Sequence, residues 1–400
     1  MTRGLLHSLR VQNFGILGDV DVGPLGRLNV LVGPNGSGKS TLLRVIQFLG
    51  DAAREQLESA VEQRGGLSRM MTRTARVPGA GRISIQLKAS VTRFAHAGAL
   101  DEYSLVLRPP RGSGQLFSHW EEFTFKRTAN QGRRITLRAG KLHIKDEGEG
   151  KSGERAQTIN KSAFGLALLP QLGEDEGSTE VQKIQQLITT FRVFDVDATR
   201  ARRPSDVRES RQLRSDASNL AAFLAFLRDQ HPEVFKDLVR DAREIVPGLT
   251  DIQFRVLGGA QEAVAVEIVD RGLPGTTPLG DASFGTIRAL SMLAMLYDPD
   301  PPLLTCVEEI DHGFHPHVFD RLVELLRVAS ERTQFIIATH SPALVNRLKP
   351  SELIICERDE ASGLARIPAA NPRDLARAHA QSGFGLGELW FSGTLGGVPK

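Results

Sequence analysis

The sequence predicts an α/β fold with a phosphate-binding loop, an antiparallel β lobe and a helical insertion. Three observations lead to this prediction. An apolar run at 28–32 precedes the glycine-rich segment 33–41, and an apolar-periodic stretch at 42–49 follows, which is the order strand, loop, helix. Apolar and polar residues alternate in short runs between about 82 and 145, as in antiparallel strands. Helical patterns dominate from about 179 to 247.

The glycine-rich segment matches G-x-x-x-x-G-K-[ST], the pattern of a loop that binds nucleotide phosphates. Its glycines let the backbone turn N–H groups toward the phosphates, and the following helix adds its positive N-terminal end. We expect Lys39 to reach the β- and γ-phosphates and Ser40 to ligate Mg²⁺. A merely structural glycine turn is the alternative, which the flanking strand and helix disfavour. The residues predicted to bind ATP are Gly33, Pro34, Asn35, Gly36, Ser37, Gly38, Lys39, Ser40 and Thr41.

Periodicity places the remaining elements along the chain. The predicted helices are 42–64, 181–188, 220–227 and 289–296. The predicted strands are 9–14, 28–32, 83–87, 103–107, 123–125, 135–137, 252–256, 263–268, 303–307 and 334–338. No heptad pattern survives three repeats, so a long coiled-coil arm is not expected.

These elements group into four predicted units. Residues 1–150 form an N-terminal lobe with the phosphate loop and the antiparallel β subdomain, and residues 151–260 form a helical insertion that serves as a lid or arm. Residues 261–371 form a C-terminal lobe that completes the nucleotide site. Residues 372–400 form a tail that either docks a partner or covers the sheet.

Charge and cysteine content exclude several classes of protein. The 400 residues carry 50 basic and 47 acidic side chains, so any surface that binds a polyanion must be a local patch. The two cysteines, Cys306 and Cys356, lie in apolar runs, where buried thiols are expected rather than a disulfide framework. No run reaches the roughly 20 apolar residues of a membrane span, and no signal-peptide core precedes Asn13. We therefore expect a cytoplasmic protein.

Two further polar segments follow buried strands in the C-terminal lobe. The run 303–307 ends in Glu308 and Glu309, a pairing suited to ATP hydrolysis. We expect Glu308 to hold Mg²⁺ through water, and Glu309 to orient the attacking water or accept its proton. The run 334–338 leads through Thr339 to His340, whose imidazole could donate to the γ-phosphate. A structural role is the alternative for a lone histidine, but the two earlier motifs favour catalysis. The predicted catalytic residues are Lys39, Glu309 and His340.

Together these segments resemble the ABC-type ATPases of the RecF and SMC class, and specifically the compact ATPases allied to RecF and to the OLD-family ATPase domain. That resemblance is carried by 33–41, by 308–316, which reads E-E-I-D-H-G-F-H-P, and by A-T-H-S-P-A-L at 338–344. It also covers S-F-G-T-I-R at 283–288, hereafter the signature segment, where the family usually has a sequence close to S-D-G-T-L-R.

The resemblance implies a head-to-tail homodimer with two composite ATP sites. In this class the serine and glycine of the signature, here Ser283 and Gly285, meet the γ-phosphate bound by the opposite subunit. Phe284 stands where the family has a small or acidic residue, and Ile310 replaces a proline. We find no secure glutamine lid, and Gln171 is a weak candidate.

The helical insertion carries the arginines that could contact DNA phosphates. A solvated arginine-rich face is the alternative. We therefore expect an ATP-dependent dimeric switch that acts on DNA or on a DNA-processing partner, in DNA repair or anti-phage defence. The alternative is a nucleotide-gated scaffold that cages or releases an effector protein without binding DNA. Sixty residues follow His340, too few for the nuclease domain that OLD-family proteins append, so we expect a separate effector chain. The arginines are Arg200, Arg202, Arg203, Arg208, Arg211 and Arg214.

Overall fold

The structure is a computed structural model of the whole chain. It describes residues 4–73, 81–110, 116–128, 131–147, 153–160, 164–171, 173, 177–209, 211–258 and 262–396. Among these residues, no helix is both long enough and apolar enough to cross a membrane.

The described N-terminal part of the chain is rich in strands. Its helices are α1 (Lys39–Arg54), α2 (Leu57–Glu62) and α3 (Leu67–Met70). Its strands are β1 (Leu5–Phe14), β2 (Leu17–Val22), β3 (Leu28–Val32), β4 (Ile83–Ser90), β5 (Asp101–Arg108), β6 (Ser118–Thr128), β7 (Gln131–Arg138), β8 (Lys141–Glu147) and β9 (Gly153–Thr158).

The remainder alternates helices with short strands. Its helices are α4 (Gly165–Leu168), α5 (Ser178–Thr189), α6 (Ala198–Ala201), α7 (Leu220–Gln230), α8 (Pro232–Ile245), α9 (Phe284–Leu296), α10 (Phe319–Ser330), α11 (Pro342–Val345), α12 (Pro372–Ser382) and α13 (Leu386–Phe391). Its strands are β10 (Arg192–Phe194), β11 (Ser205–Asp206), β12 (Leu249–Leu257), β13 (Ala263–Asp270), β14 (Thr277–Pro278), β15 (Leu304–Glu308), β16 (Gln334–Thr339), β17 (Leu353–Ile355), β18 (Glu357–Arg358) and β19 (Ala365–Arg366).

A five-stranded parallel sheet in the order β10-β15-β16-β3-β17 carries the segments predicted to be functional. Val32 pairs with Thr339, and Ala338 pairs with Glu308, so the carboxyl ends of β3, β16 and β15 lie side by side. Loops that leave these strands therefore begin at one edge of the sheet, where ligands bind in open parallel sheets.

Both faces of this sheet are buried, which explains its apolar runs. Alternate residues of each strand face different clusters. Val30 and Ile337 pack with helices α7 to α10, while Leu31 and Ile336 pack with α1, α5 and the antiparallel lobe. Cys306 and Cys356 belong to the second cluster as buried free thiols, and burial raises the pKa of Cys356 to about 12.

An eight-stranded antiparallel sheet in the order β2-β1-β4-β5-β6-β7-β8-β9 forms the predicted lobe. Its last strand, β9, lies beyond the predicted lobe boundary. The predicted boundaries at 150/151 and 260/261 fall outside the described residues. The boundary at 371/372 coincides with the start of α12, which the Asn371 side chain caps. The four-unit division stays a prediction.

Two local expectations differ from the structure, and for the tail the structure favours one of the two alternatives. The first helix ends at Arg54 instead of about 64, because Gln56 is extended, yet the buried positions of α2 keep a helical spacing. Strand β10 lies inside the predicted helical region, where pairing with β15 defines it. The tail covers the core with Leu389 and Trp390, although Phe384 and Phe391 stay exposed.

The arginine-rich segment is not one helix with a basic face, which corrects the sequence prediction. Only Arg200 of the six arginines lies within α6, which ends shortly before Pro204. Proline disfavours helical geometry at the residue before it. Arg200 pairs with Asp197 and Asp216, at 3.4 and 3.1 Å. Arg202 donates to the Gly280 carbonyl. Arg203, Arg208, Arg211 and Arg214 are exposed.

One buried glutamine joins the two large sheets. Gln334, the first residue of β16, accepts from the Leu6 N–H at 2.9 Å and donates to the Leu6 carbonyl at 2.8 Å. Its amide also donates to the Gly26 carbonyl at 2.7 Å. Leu6 lies in β1, so a single side chain satisfies backbone groups of the antiparallel lobe from the parallel sheet.

Gln334→Leu should lower the free energy of unfolding by about 1–3 kcal/mol, because it leaves buried backbone groups without partners. Urea denaturation measures this change. The control is Gln182→Leu, an exposed glutamine on α5, which should change the free energy of unfolding by less than about 0.5 kcal/mol. Equal effects of the two substitutions would contradict the role given to Gln334.

Candidate functional site

A cavity of about 240 Å³ lies at the carboxyl edge of the parallel sheet. Three segments that are distant in sequence line it: the glycine-rich loop, the acidic end of β15 and the end of β16. The fold thus brings together the groups that the sequence assigned to nucleotide chemistry. The lining residues are Ile16, Asn35, Gly36, Ser37, Gly38, Lys39, Ser40, Thr41, Arg44, Glu308, Glu309, Ala338, Thr339 and His340.

Backbone geometry makes the loop suited to an anion. Gly38 adopts a left-handed conformation with φ 102°, and it begins α1 without any side-chain cap. The first turn of α1 also lacks an acidic residue. Among the described residues no side chain caps the first N–H groups of this 16-residue helix, and its positive end lies at the cavity, which Gly38, Lys39, Ser40 and Thr41 line. Within the described part of the chain the Ser37 hydroxyl is buried there without a hydrogen-bond partner, which also fits a ligand that supplies acceptors.

Glycine is required at the start of the loop because the chain is crowded there. A Cβ atom at Gly33 would lie 2.2 Å from the Cys356 carbonyl oxygen and 2.8 Å from the Ser37 hydroxyl. Gly33 and Pro34 do not line the cavity themselves. Their carbonyls instead accept hydrogen bonds from Lys39.

Lys39 is held in the loop and stays available to a ligand. Its Nζ donates to the Gly33 carbonyl at 2.6 Å and to the Pro34 carbonyl at 2.9 Å. An ammonium has three donors, so one remains. Burial lowers the pKa of Lys39, which nearby acids including Glu309 and Glu308 partly offset. An anionic ligand would favour the charged form of Lys39, which burial disfavours.

Hard oxygen donors in the cavity fit a magnesium ion. The Ser40 hydroxyl and the Glu308 carboxylate both line it. Mg²⁺ in nucleotide sites takes one or two protein oxygens together with substrate phosphates and water. Among the described residues, no group of three or more His, Cys, Asp or Glu side chains could hold a metal by itself. Ser40 and Glu308 are thus two oxygen ligands of the kind that Mg²⁺ takes in such sites.

Glu309 has an unusual backbone. Its φ is 49°, in the left-handed region that non-glycine residues rarely adopt. Its half-exposed carboxylate lines the cavity, and Oε2 lies 3.4 Å from His312 Nδ1. Its carbonyl accepts a hydrogen bond from Arg288 at 2.9 Å. The carboxylate is thus held at the mouth of the cavity by its own loop.

His340 is exposed and lines the cavity, one residue after β16. The preceding Thr339 is fully buried, and its hydroxyl donates to the Asp311 carboxylate at 2.5 Å. The Ser341 N–H donates back to the Thr339 hydroxyl at 3.0 Å. These bonds join the loop after β15 to the loop after β16. They therefore fix the backbone on both sides of His340.

Sequence reasoning assigned no role to Asp311 or Arg288. Asp311 could have been found as an acid two residues after the paired glutamates. Arg288 is the last residue of the signature segment. The signal available in the sequence was a charged residue directly before the apolar helical run 289–296. Its contact with Glu309 joins residues 21 positions apart, which no local pattern contains.

Ser283 and Gly285 lie outside the cavity. Ser283 is exposed and caps α9, because its hydroxyl accepts from the Thr286 N–H at 3.1 Å. Gln171, the weak lid candidate, is also exposed and donates to the Ala167 carbonyl. Within the described part of the chain, neither signature residue lines the cavity that contains Lys39.

A family profile described as "AAA domain, putative AbiEii toxin, Type IV TA system" matches residues 28–93 and 152–346. These two ranges cover more than half of the chain and contain the phosphate loop, the signature segment, the paired glutamates and His340. The resemblance inferred from the motifs is therefore confirmed.

Comparisons with individual proteins agree. The chain is 54% identical over 48 residues to an OLD nuclease from Thermus scotoductus, and the match spans 12% of this chain and 9% of that protein. An SMC head bound to the C-terminal winged-helix domain of ScpA superposes with a TM-score of 0.52 at 14% identity, covering 90% of this chain and 96% of that one. An SMC head from Pyrococcus furiosus, with an extended coiled coil and a bound ScpA domain, gives 0.51 at 12% identity, covering 94% and 99%. The fold is that of an ABC-type ATPase head.

Proposed function

Because the chain belongs to this AAA-domain family, in the SMC, RecF and OLD class of ABC-type ATPases, we propose that it is an ATP-hydrolysing dimeric switch acting on DNA or on a DNA-processing partner. The observation that carries the proposal is the single cavity lined by the phosphate loop, the paired glutamates and His340. The match to the OLD nuclease spans about a tenth of that protein. The nuclease activity of the whole protein is therefore not assigned to this chain.

Five side chains of the cavity and the N–H groups of the loop have a part in the proposed reaction. Lys39 and the N–H groups of the loop hold the β- and γ-phosphates. A magnesium ion, held by Ser40 and Glu308, would neutralise charge that develops on the phosphates. Glu309 orients the attacking water and accepts its proton, while His340 donates to a γ-phosphate oxygen.

Two substitutions separate nucleotide binding from hydrolysis. Lys39→Ala should abolish ATP binding, because it removes the buried cation that contacts the phosphates. Glu309→Gln keeps the shape of the side chain, so ATP should still bind while turnover falls by roughly 10²-fold or more. Isothermal titration measures binding, and phosphate release measures turnover. Unchanged binding and turnover in Lys39→Ala would refute the site, and a larger loss in Glu308→Gln than in Glu309→Gln would reverse the two roles.

The dimer is supported by the position of the signature segment. Ser283 and Gly285 lie at the N-terminus of the 13-residue helix α9, which is a favourable anion site. Ser283 is exposed and does not line the cavity of its own chain. A second subunit in head-to-tail orientation would bring this helix end to the phosphates held by Lys39, as the family resemblance implies.

Complementation tests the composite site. Lys39→Ala and Ser283→Arg should each be inactive alone, because each lesion destroys both sites of a homodimer. In a mixed dimer both lesions fall in the same site, so up to about half of wild-type activity per heterodimer should return if the sites act independently, and ATP should favour the dimer by mass action. Tandem tags on the two chains allow the heterodimer to be purified before assay. A fully active monomer, or a folded heterodimer that binds ATP but stays inactive, argues against a site shared between subunits.

DNA is the proposed target because exposed arginines lie between α6 and α7 and because the matched OLD protein is named as a nuclease. Arg203, Arg208 and Arg211 are exposed there. Arg200 already pairs with two aspartates. Arg203, Arg208 and Arg211 are therefore the arginines proposed to contact DNA phosphates.

The triple substitution Arg203→Gln, Arg208→Gln and Arg211→Gln should weaken DNA binding. The slope of log affinity against log salt should become shallower by about 0.9 for each duplex phosphate that the variant no longer neutralises. Fluorescence anisotropy with labelled duplex, with and without ATP, measures the slope. The control replaces Arg200 and Arg202, whose side chains already have protein partners, and should leave the slope nearly unchanged. Absence of salt-dependent binding by the unmodified protein would favour the effector-caging scaffold instead.

A further inference from the structure

We propose that Arg288 is a positioning residue that ties the signature helix α9 to the catalytic carboxylate Glu309 of the same subunit. The inference rests on the proposed ATPase function and adds a regulatory link between its two sites. It follows from hydrogen bonds, close backbone packing and burial in the region where α9 meets the loop after β15, residues 309–313.

The backbone of Glu309 needs an external support. A non-glycine residue with φ 49° persists only when its surroundings hold it. Arg288 Nη2 donates to the Glu309 carbonyl at 2.9 Å, and Nη1 donates to the Val196 carbonyl at 3.5 Å. Arg288 is only 4% exposed, and its Nε has no partner in the described structure. A buried guanidinium is therefore used to hold two main-chain carbonyls, one of which belongs to the catalytic residue.

Packing makes the link stiff. A Cβ atom at Gly285 would lie 2.6 Å from the Gly313 carbonyl oxygen, so the first turn of α9 lies directly on the 309–313 loop. The Phe284 ring lies 5.3 Å from the His312 ring, centre to centre. His312 Nδ1 in turn lies 3.4 Å from the Glu309 carboxylate. A shift of the helix end cannot occur without a shift of this loop.

The N-terminal end of α9 carries two residues of different function. Ser283, at its outer end, is exposed and in the proposed dimer meets the nucleotide of the opposite subunit. Arg288 lies inside and cannot touch a partner subunit, because it is buried. Contact of Ser283 with one nucleotide would therefore adjust the rate at Glu309 of the other site through α9, without being required for activity there. Phe284, which departs from the family pattern, forms part of this link through His312.

A double-mutant cycle tests the link. Arg288→Met removes both donors and should lower kcat roughly 10- to 100-fold, with the ATP dissociation constant unchanged within about twofold, because misplaced catalytic groups cost rate more than binding. In a Glu309→Gln background the same substitution should cost less than about twofold, because residues that act as a unit are not additive. Arg288→Lys, which retains a donor, should recover part of kcat.

Arg332→Met is the matched control, because Arg332 also donates to two main-chain carbonyls, of Asp298 and Leu296, but away from the cavity. It should leave kcat nearly unchanged. If Arg288→Met fails to fold, the cycle is run with Arg288→Lys. An equal loss of kcat with and without Glu309 would overturn the proposal and indicate a merely structural role, as would a loss of ATP binding in a folded Arg288 variant.

Heterodimers show which site the link serves. If Arg288 acts on Glu309 of its own subunit, Arg288→Met should regain activity when paired with Ser283→Arg and keep only its reduced activity when paired with Lys39→Ala. If Arg288 only supports Ser283 of its own helix, the pattern is reversed and the proposal is wrong. Should Lys39→Ala and Ser283→Arg fail to complement each other, the proposed dimer fails, and the cycle with Glu309→Gln alone decides the Arg288 link.

Discussion

The arrangement of the site depends on one constraint, the burial of a parallel sheet on both faces. Because the strands must be apolar on both sides, polar chemistry is confined to the loops at their ends. The registers of β3 with β16 and of β16 with β15 then align Val32, Thr339 and Glu308 near one edge. The phosphate loop, the paired acids and His340 meet there although Val32 and its strand partner Thr339 are far apart in sequence.

Charge in this region is balanced by main-chain groups as much as by side chains. Lys39 is buried against two carbonyls, and α1 begins without a cap or an acidic first turn. Other described helices, such as α3 and α7, also begin without a side-chain cap or an acidic first turn. What distinguishes α1 is that its uncapped first turn, with the loop before it, lines the cavity beside the paired acids. The uncapped helix end thus coincides with the place where an anion is proposed to bind.

The features predicted correctly from sequence have local signals. The loop at 33–41, the strand before Glu308 and the alternating strands of the lobe each have a pattern within about ten residues. Non-local features had no such signal. Strand β10 is three residues long and is defined by pairing with β15. The arginine segment was predicted to be helical, but its described residues form the short helix α6, the strand β11 and a 3₁₀ turn at Val207–Glu209, with a proline at 204 after α6. The bond from Arg288 to Glu309 depends on how α9 packs.

The signature helix joins two requirements that a nucleotide-gated dimer must meet. Its outer end must be accessible to a second subunit, and its effect must reach a catalytic group of its own. Ser283 is exposed and Arg288 is buried, although both belong to the same end of a helix with an otherwise apolar, buried interior. The close contact between Gly285 and Gly313 packs the first turn of α9 directly against the 309–313 loop. In the proposed dimer, rigid packing of this kind would convert a contact at one subunit's surface into a displacement at its 309–313 loop, because packed cores deform little before they rearrange.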